Sequence, residues 1–520
     1  MSASTSASLV ETGAEVPEGW VLIRLPEVCK INPPKAPLDA LEPEQTVTFV
    51  PMPAVDAEKG AITAAHERPF SEVRRGFTSF QDDDVIMAKI TPCMENGKAA
   101  ITRGLVNGLG FGSTEFHVLR STGAVLPEFV YHFIRQECFR RDAEAEMTGS
   151  VGQKRVPVSF LEGIELPLPP LTEQERIVEK IDQILACVNA ARERLTRAPV
   201  IVKRFRQAVL AAACCGRLTA DYREKHSDLG SVSALLQQMH KSHEELPGRR
   251  GNAAEPTDGV HDLTAEEIPS SWGIEELKFL CEPGRPITYG ILKPGPHQPD
   301  GVPYIRVADF PGNRLSLQGI RKTTHKIAEE YRRSTLKAGD VLLSIRGTVG
   351  RVCRVPLELA GANITQDTAR IAVHSAMLAE YVEIYLQSRR TQKRFEAAMK
   401  GVAVRGINIG DVRAVQVAVP QKAEQIEIVR RVEALFKLAS AIEQRIAVAM
   451  VRADKLTQAI LARAFRGELV PTEAELARRE GRSYEPASEL LERIRAQRRA
   501  SESNTRVKRT FKGRAKRVLS

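Results

Sequence analysis

Asn32-Pro33-Pro34-Lys35 is the stretch of this chain that comes nearest to a catalytic motif. It follows the first three residues of the Asn-Pro-Pro-aromatic tetrapeptide of amino-methyltransferases. In that tetrapeptide the asparagine and a prolyl carbonyl hold the target amine, while the aromatic ring stacks on a base turned out of the duplex. Lys35 cannot stack in this way, and the sequence has no Gly-rich turn after a strand to hold S-adenosylmethionine. We therefore interpret the stretch as a Pro-rich surface turn.

Three further kinds of chemical site are also disfavoured. Asp82-Asp83-Asp84 with Lys89 has the composition of a nuclease carboxylate cluster, but the matching strand from Leu343 to Ile345 has none. No G-x-x-x-x-G-K-[ST] phosphate loop occurs, so we do not expect the chain itself to hydrolyse ATP. The eight cysteines show no C-x-x-C spacing and no nearby run of histidines. That pattern argues against a disulfide framework and against a zinc site.

Two long helices are the elements that must position the rest of the chain. Apolar residues recur at alternating spacings of four and three from Ile177 to Ala212, and again from Ile428 to Ile460. This is the a/d pattern of a coiled coil, and at about 1.5 Å per residue each helix would extend roughly 55–65 Å. The alternative is two ordinary core helices, which average only about 11–12 residues in globular proteins. We therefore predict a pair of helices that acts as a spacer.

One long helix occurs twice in the chain, since Gln174 and Gln425 lie 251 residues apart in matching sequence. Each copy begins with an acidic first turn, which suits the helix dipole. Each copy also ends before a Gly-x-Leu triplet, whose glycine is a typical C-cap. Pro199 falls inside the first copy, so the helix is predicted to kink or break near Ala198.

A variable block precedes each long helix, opened by Trp20 in block one and by Trp272 in block two. Short apolar runs broken by proline and glycine predict strands in block one at Thr46–Val50, Asp84–Ile90, Phe116–Leu119 and Ile164–Leu168. Glu128–Gln136 is predicted to be helical, so the block is mixed α/β. In block two, Asp340–Leu343 matches Asp84–Met87 and Val415–Pro420 matches Ile164–Pro169.

The predicted fold class is α+β. Two mixed α/β blocks are separated by two long helices that pack as a coiled coil, with an internal pseudo-twofold repeat. If the helices pack antiparallel, the two blocks lie at opposite ends, although the sequence itself leaves the orientation open. The predicted divisions are a disordered leader (1–16), block one (17–170), the first long helix (171–218), a linker (219–268), block two (269–420), the second long helix (421–470), and a helical segment with a basic tail (471–520).

The formal net charge of +10 lies mostly in the tail of this 520-residue chain. Eleven Lys and Arg residues stand between Glu492 and Ser520, against two acidic residues. The tail either attracts phosphates without regard to sequence or is a disordered end, and the two interpretations have equal weight. The sequence shows neither a signal peptide nor the apolar run of roughly 20 residues that a membrane span needs. We therefore expect a soluble, cytoplasmic protein that does not contact a membrane.

Several short motifs recur or stand at characteristic places along the chain. They are Leu168-Pro169-Pro170-Leu171 and Val419-Pro420, the Glu-Gln helix starts, the Gln-Ala-Val/Ile-Leu and Gly-x-Leu helix ends, Phe49-Val50-Pro51-Met52, Thr288-Tyr289-Gly290 and Gly301–Val307. Together they resemble the specificity subunit of type I restriction–modification systems over nearly the whole chain.

The resemblance implies that each block is a target-recognition domain that reads one half of a bipartite site in double-stranded DNA. It also implies that the helices set the spacing and dock methyltransferase subunits, two in number, with restriction/translocase subunits in the same assembly. Family members are non-catalytic. The resemblance therefore implies that this chain holds no cofactor, and that S-adenosylmethionine, ATP and Mg²⁺ belong to the partner subunits.

Residues that read DNA are expected to be polar or basic and to lie in loops between strands. In block one these candidates are Lys89, Thr91 and Lys98 in a first loop and Ser150, Gln153, Lys154 and Arg155 in a second. The counterparts by matched position in block two are Arg346, Thr348 and Arg351, then Lys400, Arg405 and Asn408. A second matched region adds Ser113, Thr114, Gln366 and Asp367. The alternative is that they are solvated loop residues, but as sets they favour DNA contact.

Two other functions remain open from the sequence. One is a self-contained adenine-specific DNA methyltransferase, which binding of S-adenosylmethionine by the isolated chain would support. The other is a coiled-coil adaptor that never touches DNA.

Overall fold

The computed structural model describes residues 16–35, 41–57, 59–150, 152–226, 230–244, 263–401, 405–497 and 499. The predicted disordered leader (all but its last residue), the middle of the predicted linker (245–262) and most of the basic tail (498 and 500–520) lie outside these residues. The chain forms two compact units. Unit 1 is drawn from Met1–Leu195 and Val448–Ser520, and unit 2 from Thr196–Ala447. The units cut across the predicted divisions, because each long helix contributes residues to both.

Unit 1 contains block one. Its strands are β1 (Val21–Arg24), β2 (Cys29–Ile31), β3 (Thr46–Val50), β4 (Val55–Asp56), β5 (Ala61–Ile62), β6 (His66–Pro69), β7 (Thr78–Gln81), β8 (Asp84–Ala88), β9 (Ala99–Ile101), β10 (Leu109–Gly112), β11 (Phe116–Ser121) and β12 (Glu165–Leu168). Its helices are α1 (Leu25–Val28), α2 (Phe70–Val73), α3 (Pro127–Ile134), α4 (Glu137–Ala145) and α5 (Val158–Gly163), followed by the first part of α6 (Leu171–Cys214). The four strands and the helix predicted for block one are all present.

Unit 2 contains block two. Its strands are β13 (Gly273–Glu276), β14 (Thr288–Tyr289), β15 (Val302–Ile305), β16 (Arg321–Thr323), β17 (Val341–Ser344), β18 (Val352–Arg354), β19 (Asn363–Ile364), β20 (Thr368–Ile371) and β21 (Gln416–Val419). Its helices are α7 (Ala220–Lys225), α8 (Ser233–Glu244), α9 (His325–Glu330), α10 (Ala379–Leu386), α11 (Arg389–Ala398) and α12 (Ile409–Arg413), with the first part of α13 (Lys422–Phe465). After α13 the chain adds α14 (Glu473–Glu480) and a helical segment at 487–497 to unit 1.

The two blocks share one sheet plan. The main sheet has the order β2-β11-β8-β9 in unit 1 and β14-β20-β17-β18 in unit 2, with all neighbours antiparallel. A second sheet joins two strands in parallel, β3 with β10 in unit 1 and β15 with β19 in unit 2. The predicted match of Asp84–Met87 with Asp340–Leu343 corresponds to the central strands β8 and β17. The repeat seen in the sequence is therefore a repeat of structure.

The start of each long helix is tied to the block that precedes it by the same contacts. Trp20 Nε1 donates to Glu173 Oε1 at 2.8 Å, and Trp272 Nε1 donates to Glu424 Oε2 at 2.8 Å. Gln174 and Gln425 follow these glutamates, and the buried side-chain amide of each accepts from a backbone N–H of the block before its helix. These bonds run from Leu126 N to Gln174 Oε1 and from Leu378 N to Gln425 Oε1, each at 2.9 Å. The acidic first turns thus form specific buried bonds in addition to any effect on the helix dipole.

The two long helices pack antiparallel within each unit, which is the orientation that the sequence left open. In unit 1, Arg176 pairs with Glu473 just beyond α13, and Arg192, farther along α6, pairs with Asp454, farther back in α13. In unit 2, Arg206 of α6 lies 3.0 Å from Glu443 of α13.

Both long helices are 44 residues long, and each is followed by a glycine with φ of 74°. These glycines, Gly216 and Gly467, adopt the left-handed conformation of a C-cap, as predicted. Of the kink or break predicted near Ala198, the break is wrong, since α6 continues through Pro199. Proline removes one N–H and crowds the preceding turn. Val200 and Ile201 beside it are exposed, so the contribution that offsets this cost comes from buried residues elsewhere on the helix, such as Val188 and Val202.

The predicted linker is shorter than 219–268, because α7 and α8 lie inside it. Met239 of α8 is fully buried in the core of unit 2, and a side chain at Gly273 would collide with Val232 and Leu236 beside it. The segment 487–497 occupies the corresponding place in unit 1. Ala487 N donates to Gly19 O at 3.0 Å as Val232 N donates to Ser271 O at 3.3 Å.

Candidate nucleic-acid interface

In unit 1 the loops predicted to read DNA meet at one end of the main sheet. Three backbone hydrogen bonds join them: Lys89 N to Glu115 O at 2.9 Å, Thr91 N to Lys154 O at 3.1 Å, and Val156 N to Lys89 O at 2.9 Å. The segments 89–98, 113–115, 148–150 and 152–155 therefore form one surface. We call it interface 1.

Arg155 is the residue that ties interface 1 together. Its Nε and Nη2 donate to the two carboxylate oxygens of Glu115 at 2.9 and 2.8 Å, and its Nη1 donates to Gln153 O at 3.0 Å. The hydrogen bonds from Arg155 hold the pKa of the Glu115 carboxyl below its ordinary value, although burial acts the other way. Since all three nitrogens of Arg155 are engaged, the side chain positions the hairpin 148–155.

Other predicted residues of interface 1 divide into engaged and free side chains. Thr91 Oγ1 donates to Glu95 Oε1 at 2.8 Å, and Ser113 Oγ accepts from Glu115 N at 3.2 Å. Lys98 Nζ donates to the carbonyl of Met52 at 3.1 Å. The exposed predicted residues are Thr114, Ser150, Gln153 and Lys154, and within the described part of the chain their side chains have no hydrogen-bond partner.

Unit 2 repeats the same junction. Ile345 N donates to Asp367 O at 2.8 Å, Gly347 N to Arg405 O at 3.1 Å, and Ile407 N to Ile345 O at 2.9 Å. The segments 345–351, 366–367, 400–401 and 405–408 form interface 2, which contains every residue predicted for block two.

The two interfaces correspond with one shift of register. Equivalent hydrogen bonds align Lys89 with Ile345, so Arg346 aligns with Ile90, although the sequence matched Lys89 with Arg346. Because side chains alternate between faces along a strand, this shift places Lys89 and Arg346 on opposite faces. The buried Ile345 stands where unit 1 has the half-buried Lys89. Lys98 and Arg351 do correspond, since Arg351 Nη1 donates to Val307 O at 3.2 Å as Lys98 does to Met52 O.

The other predicted residues of interface 2 are mostly exposed. Arg346 Nη1 donates to Gln366 Oε1 at 3.2 Å, beside the half-buried Asp367. Asn408 caps α12 in a reciprocal arrangement with Asp411. Thr348 accepts a hydrogen bond on its backbone oxygen from Ser344 Oγ at 2.5 Å. Lys400 and Arg405 are exposed, and their side chains have no partner in the described residues.

Tyr289 is a candidate contact that the loop matching missed. It is 48% exposed on β14 and pairs with Ala369 on the strand that leaves interface 2. The next residue is Gly290, where a Cβ would lie 1.9 Å from Ile364 O, so only glycine fits beside this strand. A large exposed aromatic next to an obligatory glycine was visible in Thr288-Tyr289-Gly290, but nothing in the sequence indicated its position beside Gln366.

The Asn-Pro-Pro-Lys stretch occupies the equivalent place in unit 1, directly after β2. Asn32 Oδ1 accepts from Val118 N at 3.0 Å, and its Nδ2 lies 3.1 Å from His117 Nδ1. Lys35 Nζ donates to Arg74 O at 2.9 Å. The polar groups of this stretch are therefore used within a turn, in agreement with the interpretation as a Pro-rich turn.

A pair of arginines in each unit was also missed. Arg74-Arg75 follows α2, and Arg332-Arg333 follows α9, in the matching subdomains. Arg75 and Arg333 are exposed, and no ion pair reaches either within the described residues. Exposed guanidinium groups of this kind suit phosphate contacts. The chain outside the tail has a net charge near zero, so its composition did not indicate these arginines.

His117, buried next to interface 1, makes the stability of unit 1 depend on pH. Burial lowers the pKa of His117 from its ordinary value of 6.5, and its Nε2 lies 2.9 Å from Val156 O. Because the unfolded chain binds this proton more tightly, the free energy of unfolding should be unaffected above pH 6.5 and should fall as the pH drops below it. The opening free energy of β11, obtained from hydrogen exchange at about pH 7.5 and 5.5, checks this. His117→Gln should lose most of the difference between the two opening free energies. An unchanged difference in that variant would contradict the assignment.

No helix among the described residues is long and apolar enough to cross a membrane. The described residues also contain no group of three or more His, Cys, Asp or Glu side chains placed to hold a metal ion.

A protein-family model described as type I restriction modification DNA specificity domain matches residues 17–197 and 290–449. The chain is similar to the specificity subunit of the type I restriction enzyme EcoBI of Escherichia coli, with 35% identity over 366 residues, which cover 68% of this chain and 69% of the relative. The specificity subunit of EcoEI, also of Escherichia coli, is 27% identical over 501 residues, which cover 86% of this chain and 83% of the relative.

Solved structures share the fold. The HsdS subunit from Thermoanaerobacter tengcongensis superposes with a TM-score of 0.57 and 22% identity, covering 88% of this chain and 98% of that one. A chain from a study of complex assembly and conformational transition in the type I R-M system gives a TM-score of 0.62 and 21% identity, covering 88% of this chain and 100% of that one. At these identities the structural likeness bears on the fold alone.

Proposed function

Because this chain belongs to the type I restriction–modification DNA specificity family, we propose that it is the DNA-sequence specificity subunit of a type I restriction–modification complex. Interface 1 and interface 2 each read one half of a bipartite site in double-stranded DNA. The observation that carries this proposal is the repeated junction, in which the same hydrogen bonds gather three loops at matching places in both units. Two similar scaffolds that present different side chains suit the reading of two different half-sites.

The long helices are assigned the spacing and docking roles. They are continuous, and each contributes to both units. We propose that they set the gap between the half-sites and dock two methyltransferase subunits, with restriction/translocase subunits in the same cytoplasmic assembly. S-adenosylmethionine, ATP and Mg²⁺ would be held by those partners. This chain then supplies recognition and no catalysis.

The decisive experiment is to purify the chain with its cognate methyltransferase subunit, methylate random-sequence DNA and sequence the modified positions. A split motif with a fixed non-specific gap is the expected result. A continuous motif, or methylation by this chain alone, would favour a self-contained adenine methyltransferase. Absence of both methylation and DNA binding would favour a structural adaptor. Among the described residues of the two interfaces, nothing favours either alternative.

Adding one heptad to each long helix should lengthen the gap. An insertion between Leu195 and Thr196, with a second between Ala447 and Val448, falls at the border of the two units and leaves both cores intact. Seven residues add about 10.5 Å of helix, which corresponds to about 3 base pairs of duplex. The same methylation assay should report a gap longer by about that amount.

The matched control places the same heptad in the segment 245–262, which belongs to neither long helix. That variant should keep the original gap. If the doubled insertion also keeps it, the helices do not determine spacing.

A further inference from the structure

A small cavity in unit 1 lies where α3 and α4 meet α6 and α13. Its volume is about 60 Å³, and no acidic residue lines it within the described part of the chain. The polar side chains around it are Asn96, His132, Arg135, Arg140, Thr457 and Gln458. A cavity of this size holds one small ion or a few water molecules and excludes a polynucleotide.

Two buried nitrogen atoms at this cavity have no hydrogen-bond partner among the described residues: His132 Nδ1 and Arg140 Nε. His132 is 3% exposed, and its other ring nitrogen, Nε2, lies 3.0 Å from Asp182 Oδ1. Arg140 uses Nη1 to donate to Glu95 O at 3.0 Å, which leaves Nε–H unpaired. Buried polar atoms without a hydrogen-bond partner are rare in folded proteins and commonly mark a bound water or ion.

Charge favours an anion over water at this place. No carboxylate forms an ion pair with Arg140 in the described residues. Burial lowers the pKa of the Arg140 guanidinium, the carboxylate of Glu137 acts in the opposite direction, and the positive charge of Arg135 adds to the lowering. Gln458 Oε1 accepts from Glu137 N at 2.7 Å, so the amide Nε2 of Gln458 remains as a further donor.

Unit 2 provides an internal comparison. The equivalent bonds to Leu126 and Leu378 align His132 with Ile384 and Arg140 with Gln392. There the corresponding space is an open groove of about 1150 Å³, lined by the carboxylates of Glu380, Glu383, Glu433 and Glu443 as well as by basic residues. Unit 1 also carries carboxylates at two of these positions, Glu128 for Glu380 and Asp182 for Glu433, so acidic residues near the junction do not distinguish the units. What is particular to unit 1 is the pair His132 and Arg140, which unit 2 replaces by Ile384 and Gln392.

We propose that the cavity of unit 1 binds one small inorganic oxyanion of the size of phosphate or sulfate. Arg140 Nε–H and Gln458 Nε2–H donate to its oxygens, and His132 Nδ1, whose ring is held in place by the contact of Nε2 with Asp182, forms a third hydrogen bond to the anion. The anion thereby bridges α4 of the recognition block and α13 of the helix pair. This site does not depend on the proposed reading of DNA.

The test measures the melting temperature of the full chain in a buffer free of phosphate and sulfate, at constant ionic strength set with sodium chloride. Adding inorganic phosphate to about ten times its dissociation constant should raise Tm by about 3 °C. Arg140→Gln, which introduces the residue that unit 2 carries at Gln392, should abolish the rise. Arg141→Gln is the matched control, since Arg141 is the exposed neighbour, paired with Asp142, and does not line the cavity.

An equal rise in Arg140→Gln, no rise with phosphate, or the same rise with added chloride alone would overturn the proposal. If Arg140→Gln does not fold, Gln458→Leu serves as the second variant, because it removes a donor from the opposite wall. A crystal grown with selenate should show one anomalous peak between Arg140 and Gln458. Water alone at that position would also overturn the proposal.

Discussion

A chain carrying Gln153→Ala and Lys154→Ala is expected to lose about 10–100-fold in affinity for one half of its DNA site and to recognise the other half unchanged. Both side chains are exposed at the tip of the hairpin 148–155 and have no partner in the described residues. The backbone that presents them is fixed by Thr91 N to Lys154 O and by the Arg155–Glu115 pair. Truncation therefore removes contacts and leaves the scaffold in place.

Arg155 is left unchanged in this variant for a structural reason. Its nitrogens are already engaged, and Arg155→Ala would leave the Glu115 carboxylate without its arginine partner on the proposed DNA-reading surface. The resulting loss would mix repulsion and loop disorder with any lost base contact.

The matched control is Lys400→Ala with Arg405→Ala, the equivalent hairpin of interface 2. It should weaken recognition of the opposite half-site by a similar factor. Affinity is measured on duplexes in which one half-site at a time is scrambled. Equal loss at both halves from either double variant would contradict the two-reader arrangement.

Periodicity predicted the parts of this fold whose causes are local. The a/d spacing marked both long helices, and the glycines after them marked their ends, because both patterns act within a few residues of the chain. The central strands β8 and β17 were likewise visible as apolar runs that follow an aspartate.

Long-range pairing was not predictable in the same way. Trp20 and Glu173 are separated by 153 residues, and nothing in either local sequence indicates that the indole N–H donates to that carboxylate. The role of Arg155 depends equally on Glu115, which the sequence did not select. A basic residue in a loop looks the same whether its guanidinium faces solvent or is bound to a neighbour.

Helix continuity through Pro199 shows how tertiary packing overrides a local rule. Proline disfavours a helix interior by about 3 kcal/mol. The apolar seam on both sides of it is buried at Val188 and Val202, and burial of each such side chain is worth about 1.5–3 kcal/mol. A local signal therefore predicted a break that long-range packing prevents.

Replacing Glu424 by alanine should destabilise unit 2 by about 3 kcal/mol or more. This carboxylate is 2% exposed and accepts from Trp272 Nε1 at 2.8 Å, Thr219 Oγ1 at 2.7 Å and Arg223 Nη1 at 2.5 Å. Alanine would leave an indole N–H, a hydroxyl and a guanidinium without their shared acceptor. The change would also release the start of α13 from the strand pair β13–β21 that Trp272 precedes.

Hydrogen exchange separates this effect by unit, because peptides of α10 report on unit 2 and peptides of α3 on unit 1. Glu424→Ala should speed exchange in α10 about 100-fold and leave α3 nearly unchanged. Glu443→Ala, the same substitution at an exposed ion pair of the same helix, should cost roughly 0–1 kcal/mol. Glu173→Ala should produce the mirror result, with α3 exchanging faster and α10 protected. If Glu424→Ala and Glu443→Ala cost the same stability, the buried carboxylate would not stabilise unit 2. The repeated Trp–Glu contact would then not anchor each long helix to its recognition block.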